Sequence, residues 1–164
     1  MLILEIIVAY LLVVFFGLRF IVPHFGFAKS KLPESVPPEI QQQIDQMNAQ
    51  AKTPADFLRI AYDFVGSRYH GGRLQTLTHF WKGWANPLTL APGFWPCNIS
   101  SQLLRIILVK SGRFADLDIR IRYTSVNLFI HQYLQVRVDG MWTDVDAWGR
   151  HAGVQFGKHA CFFV

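Results

Sequence analysis

The chain is poor in charge. Asp, Glu, Lys and Arg make up 16% of its residues, against 51% hydrophobic ones. A disordered or solvating polymer needs the opposite balance, so that class is excluded. Two cysteines, Cys97 and Cys161, cannot frame a disulfide-stapled fold. There is no Cys-x-x-Cys and no His-x-x-x-His, so no metal-ligand pattern stands out, and no cofactor or metal is expected. The formal charge is a modest +5, and the basic residues, such as those between Arg59 and Arg137, are scattered rather than run together. They read as a solvated surface, with no nucleic-acid partner. At 164 residues there is room for one ordinary domain and little more.

What the chain does have, at its amino terminus, is an apolar run. Residues 6–22 are almost wholly apolar, and extension back to Met1 gives about 22 residues, enough for the roughly 30 Å hydrocarbon layer. Glu5 and Arg19 lie near the two ends, where long side chains can reach the headgroups. No basic region precedes the run and no small-x-small site follows it, which argues for an anchor over a cleaved signal. Arg19, Lys29 and Lys31 follow the span and no Lys or Arg precedes it, so the expected state is single-pass with the carboxy-terminal bulk in the cytoplasm. A reducing compartment would also keep a thiol free.

Beyond the span the expected division is a linker over 23–52 and a domain over 53–164. Pro23, Pro33, Pro37 and Pro38 mark irregular chain, and the glutamine-rich stretch 40–50 reads as a short surface helix or stalk. Thr53-Pro54-Ala55-Asp56 has the form of a helix start, with Thr53 as N-cap and Asp56 completing a box. Phe57, Ile60, Ala61, Phe64 and Val65 then follow at helical spacing to about residue 69. Residues 73–96 are aromatic and turn-rich, fit to wall a cleft or to fill a core. A second helical pattern covers 97–110, and strand-like runs cover 117–123, 128–138, 141–145 and 154–163. Asp139-Gly140 between two of them is a hairpin signal. Helices followed by an antiparallel sheet give an α+β class.

Three residues carry chemistry. Cys97 opens an apolar helix, where unpaired N–H groups and the helix dipole favour thiolate over thiol and can stabilise an oxyanion. His131 alternates with Tyr133, Gln135 and Arg137 on one strand face, opposite Leu134, Val136 and Val138. The Asp139-Gly140 turn folds the next strand back so that Asp146 approaches His131, with Asp144 as the alternative third member. A thiol, an imidazole and a carboxylate in this order are what a thiol nucleophile needs. Trp81, Trp84, Trp95 and Asn98 are further candidates for the cleft or its oxyanion donors.

His131-Gln132-Tyr133-Leu134-Gln135-Val136, then Asp139-Gly140, then Trp142-Thr143-Asp144-Val145-Asp146-Ala147, with Cys97 heading a helix upstream, resembles the transglutaminase-like (papain-like fold) cysteine enzymes over roughly residues 53–150. Tyr133 and Gln135 stand where that family usually has tryptophan and glutamate, and Pro96 where glycine often precedes the cysteine. The resemblance implies a helix-plus-sheet catalytic core with Cys97 as nucleophile, His131 as base and Asp146 as its orienting partner. It implies attack on an amide or related acyl carbonyl of a peptide or protein substrate (a peptide bond or Gln side chain) through a thioester, ending in hydrolysis or acyl transfer. The competing expectation is an inactive, membrane-anchored binding or scaffold module on the same fold.

Overall fold

Apolar side chains without an interior proline carry the first helix, α1 (Leu2–Ile21), which is long and apolar enough to cross a membrane. In the computed structural model, which describes residues 2–89, 91–126 and 129–161, this helix widens into a π-turn at Val13–Gly17. Its first turns project free of the rest of the chain. Its last ones dock, with Val14 buried and Phe15 and Leu18 packed beside it.

Two further helices follow. α2 (Pro38–Gln50) and α3 (Pro54–Arg68) each begin with proline in the first turn, where a missing N–H costs nothing. The stretch expected to be a surface helix or stalk is part of the core instead: Ile40, Ile44 and Met47 recur every three to four residues and are buried. The glutamines fill only the outer face. The main hydrophobic core therefore takes in Ile40, Ile44 and Met47 as well as residues beyond 53. α3 has the expected capping box, Thr53 Oγ1 accepting from the Asp56 N–H at 3.1 Å and Asp56 Oδ2 from the Thr53 N–H at 2.9 Å.

A short parallel pair, β1 (Tyr69–His70) with β2 (Gly93–Phe94), brackets a helical turn, α4 (Arg73–Thr78), and a 3₁₀ turn at Phe80–Trp84. Then comes α5 (Cys97–Lys110), buried all round from Asn98 to Leu108, the central rod of the molecule. α2 and α3 pack on it from one side. On the other lies an antiparallel sheet of β3 (Ile119–Val126), β4 (Phe129–Val138) and β5 (Met141–Val145), with β4 in the middle. Leu134 and Val136 point from β4 into the core, as the alternation requires. The β4–β5 turn places Asp139 at φ 51° and Gly140 at φ 81°, the left-handed pair that a two-residue hairpin demands.

The fourth strand-like run is a correction. From Val154 onward the chain is irregular, and among the described residues its one backbone pairing with the sheet is a bridge between Gly157 and Asp144. Left-handed Gly153 and Gly157 interrupt the extended path that a ladder needs. Cys161 is exposed rather than packed in a strand, and both cysteines are free thiols. Residues 162 and 163 of that run lie outside the described residues.

Candidate active site

Pro96 caps α5 in an extended conformation and Cys97 is its first helical residue. The N–H groups of Ile99 and Ser100 both bond back to the Pro96 carbonyl at 3.1 Å. Those of Cys97 and Asn98 come ahead of them, where a helix has no carbonyl of its own to offer. The thiol is half-buried and lines, together with His131, one small hollow.

His131 sits on β4 beside Ile130, 3% exposed. Its Nε2 is 2.8 Å from Asp146 Oδ2, which leaves Nδ1 as the ring nitrogen free for the thiol. Asp146 follows directly after β5 and is 1% exposed. Three N–H groups converge on its carboxylate: His131 Nε2 and the Ala160 amide on Oδ2, the latter at 2.9 Å, and the Gly149 amide on Oδ1 at 2.9 Å. Gly149 is needed for that approach, because a Cβ there would stand 2.7 Å from Oδ2.

Burial by itself would drive the His131 imidazolium to shed its proton. The charge and hydrogen bond of Asp146, with the Cys97 side chain adding to them, overcome this and hold its pKa up at about 10. Burial likewise opposes the Asp146 carboxylate, but His131 and the two backbone N–H groups keep its pKa below the usual aspartate value. The His131–Asp146 pair is therefore charged at neutral pH.

Asp144, the other aspartate on the returning strand, is committed elsewhere. It accepts from Gln135 Nε2 at 2.8 Å and lies 2.6 Å from His159 Nδ1, whose ring stacks flat on Tyr133 at 4.3 Å. A second His–Asp pair thus braces the same sheet face without reaching Cys97.

The remaining candidates separate in the structure. Asn98 spends both amide hydrogens on the carbonyls of Pro23 and Gly83, at 2.8 and 2.9 Å, so its side chain ties chain segments together and is no free oxyanion donor. Trp95 is buried in the core against Tyr69. Trp81 is exposed and packs with His79 and Phe80. Of the three tryptophans, Trp84 is the one that lines the cleft holding Cys97.

The sequence reading missed Trp148. Its ring lies 4.7 Å from that of His131, and its buried Nε1–H has no hydrogen-bond partner. With Cys97, Thr76 and His131 it encloses a hollow of about 40 Å³, room enough for one water. An aromatic residue two places after the carboxylate was the available signal. A larger hollow of about 570 Å³ lies elsewhere, between the 31–35 loop and Pro87; no thiol lines it, and its His24 is bonded to Ser30 rather than to a carboxylate. Among the described residues no group of three or more His, Cys, Asp or Glu side chains gathers as a metal site would require. Comparison with protein-family models, curated proteins and solved structures finds no match to this chain, so the site rests on its own geometry.

Proposed function

We propose that this chain is a membrane-anchored thiol enzyme with a transglutaminase-like (papain-like) core, acting on an amide or related acyl carbonyl. The observation that carries the reading is the conjunction of three groups: a half-buried thiol at a helix start, lining one hollow with a buried imidazole, that imidazole fixed at 2.8 Å on a carboxylate, and the carboxylate locked by two backbone N–H groups. In the proposed reaction the Cys97 thiolate attacks the carbonyl carbon. The Cys97 and Asn98 N–H groups face the developing oxyanion. His131 then gives its proton to the leaving group and takes one back from water, or from an amine, as the thioester is resolved. Asp146 fixes the imidazole and stays ionised throughout.

The length and apolarity of α1 support anchoring, and the positive charges after it favour the cytoplasmic side for the proposed catalytic part. A cleaved signal would leave Leu18 and Val22 behind, and these pack beside Cys97 and Ile130.

The test is iodoacetamide labelling of the full-length chain across pH, with Cys161 as the exposed reference thiol in the same molecule. Cys97 is expected to label well at pH 6, where Cys161 is sluggish, and to lose at least tenfold in rate in His131→Ala. Equal labelling of the two thiols, independent of His131, would leave the inactive binding module as the better reading.

A further inference from the structure

The cleft at Cys97 is built in part from the membrane span. Its volume is about 160 Å³, and α1 and the turn after it contribute Leu18, Val22 and Phe25 as one wall. Phe80, Trp84 and Ile130, the last next to the proposed base, line it as well. Apart from the Cys97 and Asn98 N–H groups assigned to the oxyanion, the cleft is mostly apolar. The polar side chains of Thr76 and Asn98 are engaged: Thr76 Oγ1 donates to the Gly72 carbonyl at 2.7 Å, and the Asn98 amide is spent as described. A peptide laid here would leave its own N–H and C=O groups unpaired, at about 1–3 kcal/mol each. A hydrocarbon chain has no such groups. An apolar hollow of this size takes a group about as large as benzene, or roughly six carbons of a chain.

The surface around the mouth agrees. Leu74, Leu77, Phe80, Trp81 and Trp84 are all exposed, from 48% for Trp84 to 74% for Leu74, and they recur at helical spacing along α4 and the turn that follows. Phe20 and Ile21 at the end of α1 are exposed as well. An apolar, tryptophan-bearing stripe beside the end of a membrane span is what lies in a lipid interface.

The span is also fixed to the site. The Tyr123 hydroxyl on β3 lies between the carbonyls of Phe25 and Gly26, at 2.9 and 2.6 Å, and burial pushes its pKa up to about 12, so it remains a donor. The Arg19 guanidinium stacks on the Tyr123 ring at 3.9 Å.

We infer that the substrate is a membrane lipid, and that Cys97 attacks the carbonyl of its acyl group while the adjoining carbons lie in this cleft. The inference rests on the proposed thiol chemistry and names its substrate class. The C–S bond forms as the bond from the acyl carbon to the lipid oxygen or nitrogen breaks, and the His131 proton passes to that leaving atom. Water then adds to the thioester, losing a proton to His131 and releasing the fatty acid with the thiolate restored. The hollow beside Trp148 offers that water a place.

The experiment uses the full-length chain in phosphatidylcholine vesicles. Cys97 is labelled with N-hexyl or N-methyl iodoacetamide, and the ratio of the two rates is measured against the same ratio at Cys161. Separately, mass spectrometry looks for an acyl group on Cys97 that hydroxylamine removes, after incubation with the vesicles or with a water-soluble peptide thioester. The expected result is a hexyl-to-methyl ratio at Cys97 at least tenfold above that at Cys161. The ratio should fall towards that of Cys161 in Val22→Trp and, independently, in Ile130→Phe, and the vesicle acyl chain should be found on Cys97. His131-dependent labelling without a chain preference, or acylation by the peptide donor alone, overturns the lipid assignment and spares the nucleophile. Labelling indifferent to His131 overturns both.

Discussion

Replacing Asp146 by Asn changes one atom and sets a donor where the structure needs only acceptors. Three N–H groups meet this carboxylate, two at Oδ2 and one at Oδ1. An amide has one accepting oxygen. With the oxygen towards Gly149, the NH₂ opposes the Ala160 N–H; with the amide flipped, it opposes Gly149. His131 can change tautomer to accept, but a backbone N–H cannot. One buried N–H is therefore left unpaired in either pose, at about 1–3 kcal/mol. Loss of the charge-assisted bond to His131 adds about 1.5–3 kcal/mol. The expected cost near pH 6 is about 3–5 kcal/mol, in line with breaking a buried ion pair from one side.

The pH course has a definite sign. His131 has a raised folded pKa, so its share is complete below its unfolded value, about 6.5, and fades as pH rises towards 10. Asp146 has a lowered one, so its share is present above its ordinary value near 3.9 and is lost as the solution is made more acid. The difference between wild type and Asp146→Asn should then plateau between about pH 4 and 6.5 and shrink on both sides. The assay is equilibrium urea unfolding of the full chain in detergent, followed by tryptophan fluorescence. Asp144→Asn is the comparison, since its partners lie at a wetter site. A cost below 1 kcal/mol for Asp146→Asn, or an equal cost for Asp144→Asn, would refute the reasoning.

Other substitutions probe separate parts of the same frame. Gly149→Ala should cost about 1–3 kcal/mol in urea and slow Cys97 labelling, because the new Cβ falls on the Asp146 carboxylate that orients the base. Thr53→Ala removes the cap of α3 and should cost about 1 kcal/mol in the same titration, with labelling unchanged. Arg105→Met breaks paired bonds to Asp116 at 2.7 and 3.0 Å and one to the Ser30 carbonyl at 2.9 Å, and should cost about 2–4 kcal/mol. Tyr123→Phe leaves two carbonyls without their donor, and hydrogen exchange should quicken in residues 22–27 before any other segment.

The elements most readable in the sequence are those set by local chemistry. The 97–110 helix, the capped start at Thr53 and the Asp139-Gly140 hairpin each carry their own signal of spacing, cap or turn. Hairpin register then brings His131 and Asp146 together in the structure. What escaped the reading depends on neighbours far along the chain. The glutamines of α2 hid a stripe of three apolar residues because composition drowned periodicity. Nothing in Phe80, Trp81 and Trp84 says which of them faces outward until the span is docked beside them. The extended pattern after Val154 is real, but two left-handed glycines and a single bridge to β5 leave it no ladder to join.

The docking of α1 onto β3 has a consequence for what this chain can reach. An enzyme on a slack tether samples the solution around its anchor and selects by shape. Here the turn after the span is held at Pro23, Phe25, Gly26, Lys29 and Ser30 by side chains of α5 and β3 and by the 116–119 segment. With α1 spanning a bilayer as proposed, a rigid mount would make it a depth gauge: it would fix how far below or above the headgroups the Cys97 sulfur rides. Selection would then be by altitude, favouring carbonyls at one level of the bilayer over chemically identical ones in the water above. Cutting the anchor away would remove the gauge together with one wall of the cleft.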